Sequence, residues 1–571
     1  MSKTLTKRQQ VESQVEFMRT EREPFIQQWR EIAENLFPTR PRFLLERNTD
    51  RGKKKYNKIL DLAGALAARV LPAGMMAGLT SPARPWKRLT VHDPGLAEFG
   101  PVKDWLHMAD TRMSSIFSRS NLYSAFPNLY KDSGGMGTGV MEIEEDFDKV
   151  IRAYVYPVGS YMLACDYKLR VNVFARELTL TVRQVVERFG RITESGAPDW
   201  SRFSRQVKDL YDRCSYEAPV SVTHLIQPNK DYSPNNLMSQ KFESLYWETG
   251  FPDATGDEGR YLREAGYGYF PILAARWDVS GEDVYGTSCP GMIALGSVNQ
   301  LQYGEKKILQ AHEKMIDPPM MYPLALQHKN ITGLPGEKIF IDERDGTKGA
   351  RSLYESRFSS EHIEAKQQQL RAMVNETFYK NLFLMFTGLD RREITAAEIY
   401  ARQEEKLLLG EVLEHLNEDV YDPLIDITFD IMMRQGLLPP PPPELEGEDL
   451  KVEYVSIMHQ AMKVSGLSSV DRLTGYIGQL AQFNPEVLDK FDMDQAVDEY
   501  AEILGTPPRV VRPDDEVEGI REGRRQAQQA QQQALALSEG AKTAKDLASA
   551  DMGGNNALTQ LIKASQTGAI V

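Results

Sequence analysis

A run of carboxylates is the first feature with chemical potential. Glu398, Glu404, Glu405, Glu411, Glu414, Glu418, Asp419, Asp422, Asp426 and Asp430 share one stretch with only Arg402, Lys406 and Arg434 to balance them. Closely spaced acids could perform acid–base chemistry or hold a divalent cation. These recur at helical spacing along one side of a segment. The stripe, represented by Glu404, Glu411, Glu414, Glu418 and Asp422, therefore reads as a solvated surface. Cations able to touch phosphate are Lys306, Lys307 and Lys314 on a helix and Arg391 and Arg392 in a loop; pairing with acids is their other reading. Arg51-Gly52-Lys53-Lys54-Lys55 reads as a solvated loop rather than a phosphate or partner contact. Ser133-Gly134-Gly135-Met136-Gly137-Thr138-Gly139 invites a phosphate-loop reading. No Lys-Ser or Lys-Thr follows it, and Val140-Met141-Glu142-Ile143 alternates as a strand does, so a turn into a strand is expected. The eight histidines show no HExxH or paired metal spacing, and neither a CxxC pair nor a G-x-S-x-G elbow occurs. No catalytic, cofactor or metal site is expected.

The elements that carry these residues are legible. Ala294, Leu301, Ile308 and Met315 fall seven apart, with Leu295 and Val298 beside them, which predicts a helix over 291–316 with one apolar seam. Lys306, Lys307 and Lys314 lie off that seam. A second helix, 358–380, starts at Ser359-Ser360-Glu361 and sets Ile363, Leu370, Val374 and Phe378 on one side. Between them Asp317-Pro318-Pro319 and Gly333-Leu334-Pro335-Gly336 mark turns, and Lys338–Ile341 is a short strand candidate. After a loop carrying Gly388, Thr395 and Glu398 form a capping box, with Ile394 and Ile399 placed for a hydrophobic staple. Leu409, Leu413, Leu416, Val420, Leu424, Ile427 and Ile431 continue as one amphipathic face. Pro423 predicts a kink near Asp419–Pro423, and Gly436 followed by five prolines ends the helix.

Upstream, residues 8–37 read as a helix bent near Pro24. Leu60–Met76 reads as a small-residue helix in which Gly64, Ala67, Ala68 and Ala73 allow close approach. Residues 101–130 are helical, with Trp105, Met108, Met113, Ile116 and Phe117 as a stripe. Strands are expected at Ile151–Tyr156, Val171–Leu178, Val220–Ile226, Ser244–Thr249 and Ile272–Trp277, with helices at Val182–Phe189 and near 201–213. Downstream come a strand at Val452–Ser456, helices at 458–482 and 485–504 (Asn484-Pro485-Glu486 being a start signal), and a Gln/Ala-rich helix over 515–549.

Tyr285-Gly286-Thr287-Ser288 followed by Ala294-Leu295-Gly296-Ser297-Val298, then Ile394–Ile399 running to Leu416 and Pro423-Leu424-Ile425, resembles the portal proteins of short-tailed bacteriophages, the head-to-tail connector family. The resemblance spans residues 29 to 461. It implies an α+β portal-type subunit assembled as a ring of about twelve copies around a channel for double-stranded DNA. Residues 1–290 would be the wing, 291–316 and 358–380 the two stem helices, and 317–357 a small β-containing clip. Residues 381–394 would be the channel loop, 395–435 the long kinked wing helix, 436–510 the crown, and 511–571 a helical tail or short barrel. The implied role is structural and non-enzymatic: a connector at one capsid vertex, assembled in the host cytoplasm and retained in the virion. Its implied partners are further copies of itself, non-specifically held DNA, the terminase large subunit, a tail adaptor, and the major capsid and scaffolding proteins. Neutralising Arg391 and Arg392 is expected to alter packaging or DNA retention without preventing ring formation.

Bulk properties agree with that picture. A formal net charge of −13 over 571 residues argues against a protein that grips nucleic acid by neutralising phosphates; it suits a surface past which DNA slides. Three separated cysteines, Cys165, Cys214 and Cys289, suit free thiols in a reducing compartment. The polar N-terminus, Ser2 to Gln14, is unlike a secretory signal. Ile59–Thr80 comes nearest to a membrane span but contains Asp61 and Arg69, so no membrane partner is expected. The alternatives are another virion assembly protein, such as a tail or capsid subunit, or a DNA-packaging enzyme. The first lacks the helix–clip–helix order, and the second needs the missing Walker A lysine.

Overall fold

The computed structural model describes residues 6–37, 59–190, 199–234, 239–249, 260–281, 283–316, 320–321, 351–352, 361–387, 410–445, 450–455, 473–480, 490–497, 512 and 514–549. It is a mixed helix-and-sheet chain that divides into two units. The first comprises residues 1–89, 108–440 and 452–487, and the second residues 90–107, 441–451 and 488–571.

Helix α1 (Lys7–Asn35) opens the first unit on a capping box: the Thr6 side chain accepts from the Gln9 backbone and Gln9 returns the bond. Pro24 sits inside it, yet the helix runs unbroken from one end to the other. Helix α2 (Ala63–Gly78) buries Gly64, Ala67 and Ala68 as its small-residue pattern requires, whereas Ala73 faces outward. The expected helical region 101–130 is interrupted: after β1 (Lys87–Val91) and the short α3 (Pro94–Glu98), α4 (Gly100–Arg119) and α5 (Leu122–Met136) are separate helices. Asn121 marks the break, donating to and accepting from the Ala153 backbone instead of continuing the helix.

The glycine-rich stretch is a helix end. Ser133–Met136 close α5, Gly137 caps it at φ +86°, and Thr138 starts β2 (Thr138–Asp146). Strand β2 pairs antiparallel with both β3 (Val150–Tyr156) and, later in the chain, β9 (Ile272–Arg276). Between them the chain builds a second, five-stranded antiparallel sheet in sequence order: β4 (Tyr161–Cys165), β5 (Val171–Thr181), β6 (Pro219–Pro228), β7 (Phe242–Thr249) and β8 (Arg263–Tyr267). Side chains alternate across it. Leu225, Leu245 and Trp247 meet Val11, Val15 and Met18 of α1 on one face. Val220, Val222 and Tyr246 meet α6 (Val182–Phe189) and α7 (Arg205–Asp212) through Val185, Phe189 and Val207 on the other. Thr181 and Gln184 form the capping box that starts α6.

Tyr285 ties these layers together. It is buried beneath α1, with its ring 5.3 Å from that of Trp29. Its hydroxyl accepts from the Leu163 backbone at 3.1 Å. The Trp29 indole N–H in turn donates to the Met136 carbonyl at 2.7 Å. A Cβ on Gly291 would lie 1.9 Å from the Gly135 carbonyl oxygen, so glycine is required where α8 (Pro290–Ile316) crosses the end of α5.

Beyond α8, the strands β10 (Met320–Met321) and β11 (Arg351–Ser352) pair antiparallel. Helices α9 (Glu361–Thr377), α10 (Lys380–Thr387), α11 (Gly410–Leu416) and α12 (Asp422–Arg434) follow, and β12 (Leu450–Tyr454) matches the strand expected at Val452–Ser456. The expected helices at 458–482 and 485–504 are described only at 473–480, which is helical, and at 490–497, which is helical from 493. The basic run Arg51–Lys55, Lys338–Ile341 and Asn484–Glu486 lie outside the described residues, as does nearly all of 317–357.

The second unit holds the short α3, started by Asp93, whose carboxylate accepts from the Gly95 backbone at 2.9 Å. It also contains α13 (Asp514–Ser549), on which Arg521 binds Asp494 through both guanidinium nitrogens at 2.6 and 2.7 Å.

Candidate nucleic-acid interface and acidic helix

Most of the predicted seam of α8 is buried: Ala294, Val298, Leu301 and Ile308 are all under a tenth exposed, Leu295 is half-buried, and Met315 is not among the described side chains. It packs against α9, which contributes Leu370 and Val374, with Phe378 just beyond its end. Gly304 leaves room for Gln367 of α9, whose amide donates to Glu305. Polar ties hold the pair to the N-terminal part of the chain. Gln302 accepts from the Leu60 and Asp61 backbone and donates to the Asp61 carbonyl at 2.7 Å. Arg371 pairs with Asp61 at 2.8 Å.

With the seam fixed, helical spacing turns Lys307 and Lys314 away from it, seven residues apart on the far side, with Lys306 on a neighbouring flank. All three are exposed. The Lys307 ammonium lies 5.4 Å from the centre of the Tyr303 ring, one turn earlier. This face offers mobile point charges able to meet successive phosphates without bidentate grip.

The acidic helix has two sides with different chemistry. Its described part begins at α11, to which Glu411 belongs, and passes through a π-helical turn, Asn417–Tyr421, into α12. The turn answers Pro423. Proline has no N–H to offer and its ring crowds the carbonyl four residues earlier, so the chain widens and the Asp422 N–H reaches Asn417 instead. The predicted break is thus a local change of helical pitch. Leu413, Leu416, Val420, Leu424, Ile427 and Ile431 are buried as the pattern required. Gly436, at φ +66°, ends α12 in a Schellman arrangement in which the Leu437 N–H donates to the Met432 carbonyl at 2.9 Å.

Glu414 and Glu418 are exposed on this helix, but the acids beside the π turn are engaged. Asp419 receives both forks of Arg276, at 2.9 and 2.9 Å, in a pair only 5% and 12% exposed. Burial acts to lower the Arg276 pKa, but the hydrogen bonds and charge of Asp419 outweigh it, and the guanidinium is held above its ordinary value. Asp422 is half-buried and accepts from the Tyr454 hydroxyl; burial raises its pKa, and that bond offsets only part of the rise. Tyr421, fully inside, extends a hydroxyl chain to Tyr130 and on to Thr80, each step 2.8 Å.

Among the described residues no three His, Cys, Asp or Glu side chains gather to hold a metal, and no helix is long and apolar enough to cross a membrane. Residues 8–511 match the family described as "Bacteriophage head to tail connecting protein". The chain belongs to that family. Relatives extend the match over nearly the whole length. The portal protein of Salmonella phage epsilon15 is 39% identical over 566 residues, covering 98% of this chain and 99% of the relative. A protein of Bordetella phage BPP-1 named "Probable portal protein" is 40% identical over 550 residues, covering 96% of each. Among solved structures, a chain from the virion of a native gene transfer agent particle aligns over 72% of this chain and 86% of its own, at 10% identity and a TM-score of 0.31, too distant to fix any detail.

For this connector-family chain, the structure brings Lys306, Lys307 and Lys314 onto exposed faces of one helix and sets Glu414 and Glu418 on another. Arg391, Arg392, Thr395, Glu398 and Glu404 lie outside the described residues. Sequence reading missed Arg276, Tyr130 and Tyr454, the partners of the acidic helix. A signal for Arg276 existed: it ends the buried run Ile272-Leu273-Ala274-Ala275, where a cation demands an acid.

Proposed function

We propose that this chain is the subunit of a homo-oligomeric portal ring at one capsid vertex, through which double-stranded DNA is packaged and later ejected. Similarity to two phage portal proteins along almost their entire lengths carries this reading. In it, residues 1–290 build the wing, α8 and α9 are the stem pair and 317–357 the clip; of the 381–394 expected as the channel loop, residues up to Thr387 are helical in α10, which leaves 388–394 for the loop. Residues 395–435 are the kinked wing helix, 436–510 the crown and 511–571 a helical tail or short barrel. Twelve copies close the ring. The terminase large subunit docks from outside, a tail adaptor replaces it, and capsid and scaffolding proteins surround it during assembly in the host cytoplasm.

The role is mechanical. Exposed Glu414 and Glu418 suit a lining that repels phosphate and keeps translocation free of sticky contacts. Lys306, Lys307 and Lys314, and Arg391 and Arg392 in the channel loop, supply weak, exchanging contacts. Native mass measurement and negative-stain imaging of the purified chain test the reading. A closed ring with a central opening wide enough for a duplex is expected. A chain that stays monomeric under all assembly conditions, or a closed particle with no opening, refutes it.

A further inference from the structure

The five-stranded sheet carries a row of polar side chains that the ring role leaves unused. Arg176 on β5 lies directly across from His224 on β6, His224 from Tyr246 on β7, and Tyr246 from Arg263 on the edge strand β8. All four therefore project from the face that α6 covers. The His224 ring stacks on Tyr246 at 3.8 Å and 6°, and its Nε2 shares a 2.9 Å hydrogen bond with Ser244. Its Nδ1 is buried without a partner, as is Arg176 Nε. Arg188, near the end of α6, holds its guanidinium 5.4 Å from the Tyr246 ring.

Toward β8 there is a cleft of about 500 Å³, lined among the described residues by Arg188, Arg202, Tyr261, Arg263 and Glu264 and by Gly190. Arg202 is anchored by a bond to the Leu262 carbonyl. Arg188, Arg202 and Arg263 thus bring three guanidinium groups to this cleft, while Glu264, next to Arg263 on β8 and paired with Leu245, projects from the opposite face of the sheet. Burial, reinforced by Arg176, Arg188 and Arg263, holds His224 well below its ordinary pKa, a sign of positive potential across the row. In a chain of net charge −13, a concave surface of this sign is not an ordinary solvated face. Guanidinium forks match the several oxygens of phosphate.

We propose that this cleft binds a phosphate group, either free phosphate or a phosphate of a nucleic-acid backbone. The site is separate from α8 and the acidic helix, and the proposal does not depend on the portal reading. Calorimetric titration of the full-length protein at low ionic strength, with inorganic phosphate and with a short DNA duplex, tests it. Saturable phosphate binding is expected. The Arg188→Gln/Arg263→Gln double variant should weaken it by at least about tenfold. Duplex that displaces phosphate assigns the backbone as the source; phosphate binding indifferent to duplex assigns the free ion. The proposal fails if wild-type protein gives no saturable heat up to about 10 mM phosphate, or if the double variant binds as wild type does. Should the double variant not fold, as judged by circular dichroism, the single variants Arg188→Gln and Arg263→Gln, both at exposed positions, decide instead, since binding unchanged in both overturns the site.

Discussion

Replacing Asp419 by alanine would strand the buried Arg276 guanidinium with both forks unpaired. Removing one partner of such a pair costs about 3–5 kcal/mol, which urea unfolding of Asp419→Ala should register, while Asp419→Leu with Arg276→Met should recover most of it. Asp419 looked no different in the sequence from the acids around it, because helical spacing specifies a face and not the strand that meets it. Glu142 makes the second residue-scale case. It is 1% exposed, with one oxygen accepting from Tyr156 and the other unpartnered. Burial raises its pKa above the ordinary 4.5, with Tyr156 and Arg176 offsetting only part of the shift. The folded state therefore holds this proton more tightly than the unfolded chain, so stability is lost as pH rises through the interval between the two pKa values. Glu142→Gln keeps the acceptor and cannot ionise. Its melting temperature should exceed that of the wild type near pH 7 and coincide with it near about pH 4.

At the scale of elements, the glycine at position 291 permits contact between α5 and α8. Gly291→Ala would drive a methyl group into the Gly135 carbonyl. A loss of about 1–3 kcal/mol or more is expected, read as a lower urea midpoint with unchanged far-ultraviolet dichroism of the remaining folded protein. The glycines of 133–139 were visible in the sequence, but their purpose was not. A helix end pressed against another backbone and a phosphate loop demand the same freedom from side chains, and only the later segment distinguishes them. Elements whose order is local were legible: the heptad seam of α8, the stripe of α12 with its Gly436 stop, and α6 at Val182–Phe189. Strands β4 and β8 were not. Arg263-Glu264-Ala265-Gly266-Tyr267 has little intrinsic strand preference, and it is extended because β7 supplies its hydrogen bonds.

For the whole molecule, the fold class and family followed from motifs spread over most of the chain. The second unit could not be foreseen as one body, because its parts lie at 90–107, 441–451 and 488–571 and no periodicity links them. A charge-level prediction belongs here. Changing Lys306, Lys307 and Lys314 together to glutamine should leave the assembled mass unchanged while flattening the salt dependence of duplex binding. Each lost phosphate contact lowers the log–log slope by about 1. An unchanged slope would remove these lysines from the DNA path.

Helix α1 places one further demand on the molecule. Its Val11, Val15 and Met18 rest on a sheet made of residues 161–267, Trp29 reaches Met136, and Glu31 meets Asn299, 268 positions later. A helix synthesised well before its partners is therefore among the last to dock. At about 5–20 residues per second, the nascent chain spends on the order of 10–50 s with that apolar stripe uncovered. Order of synthesis thus leaves an early, chaperone-accessible surface on every copy before its sheet is complete.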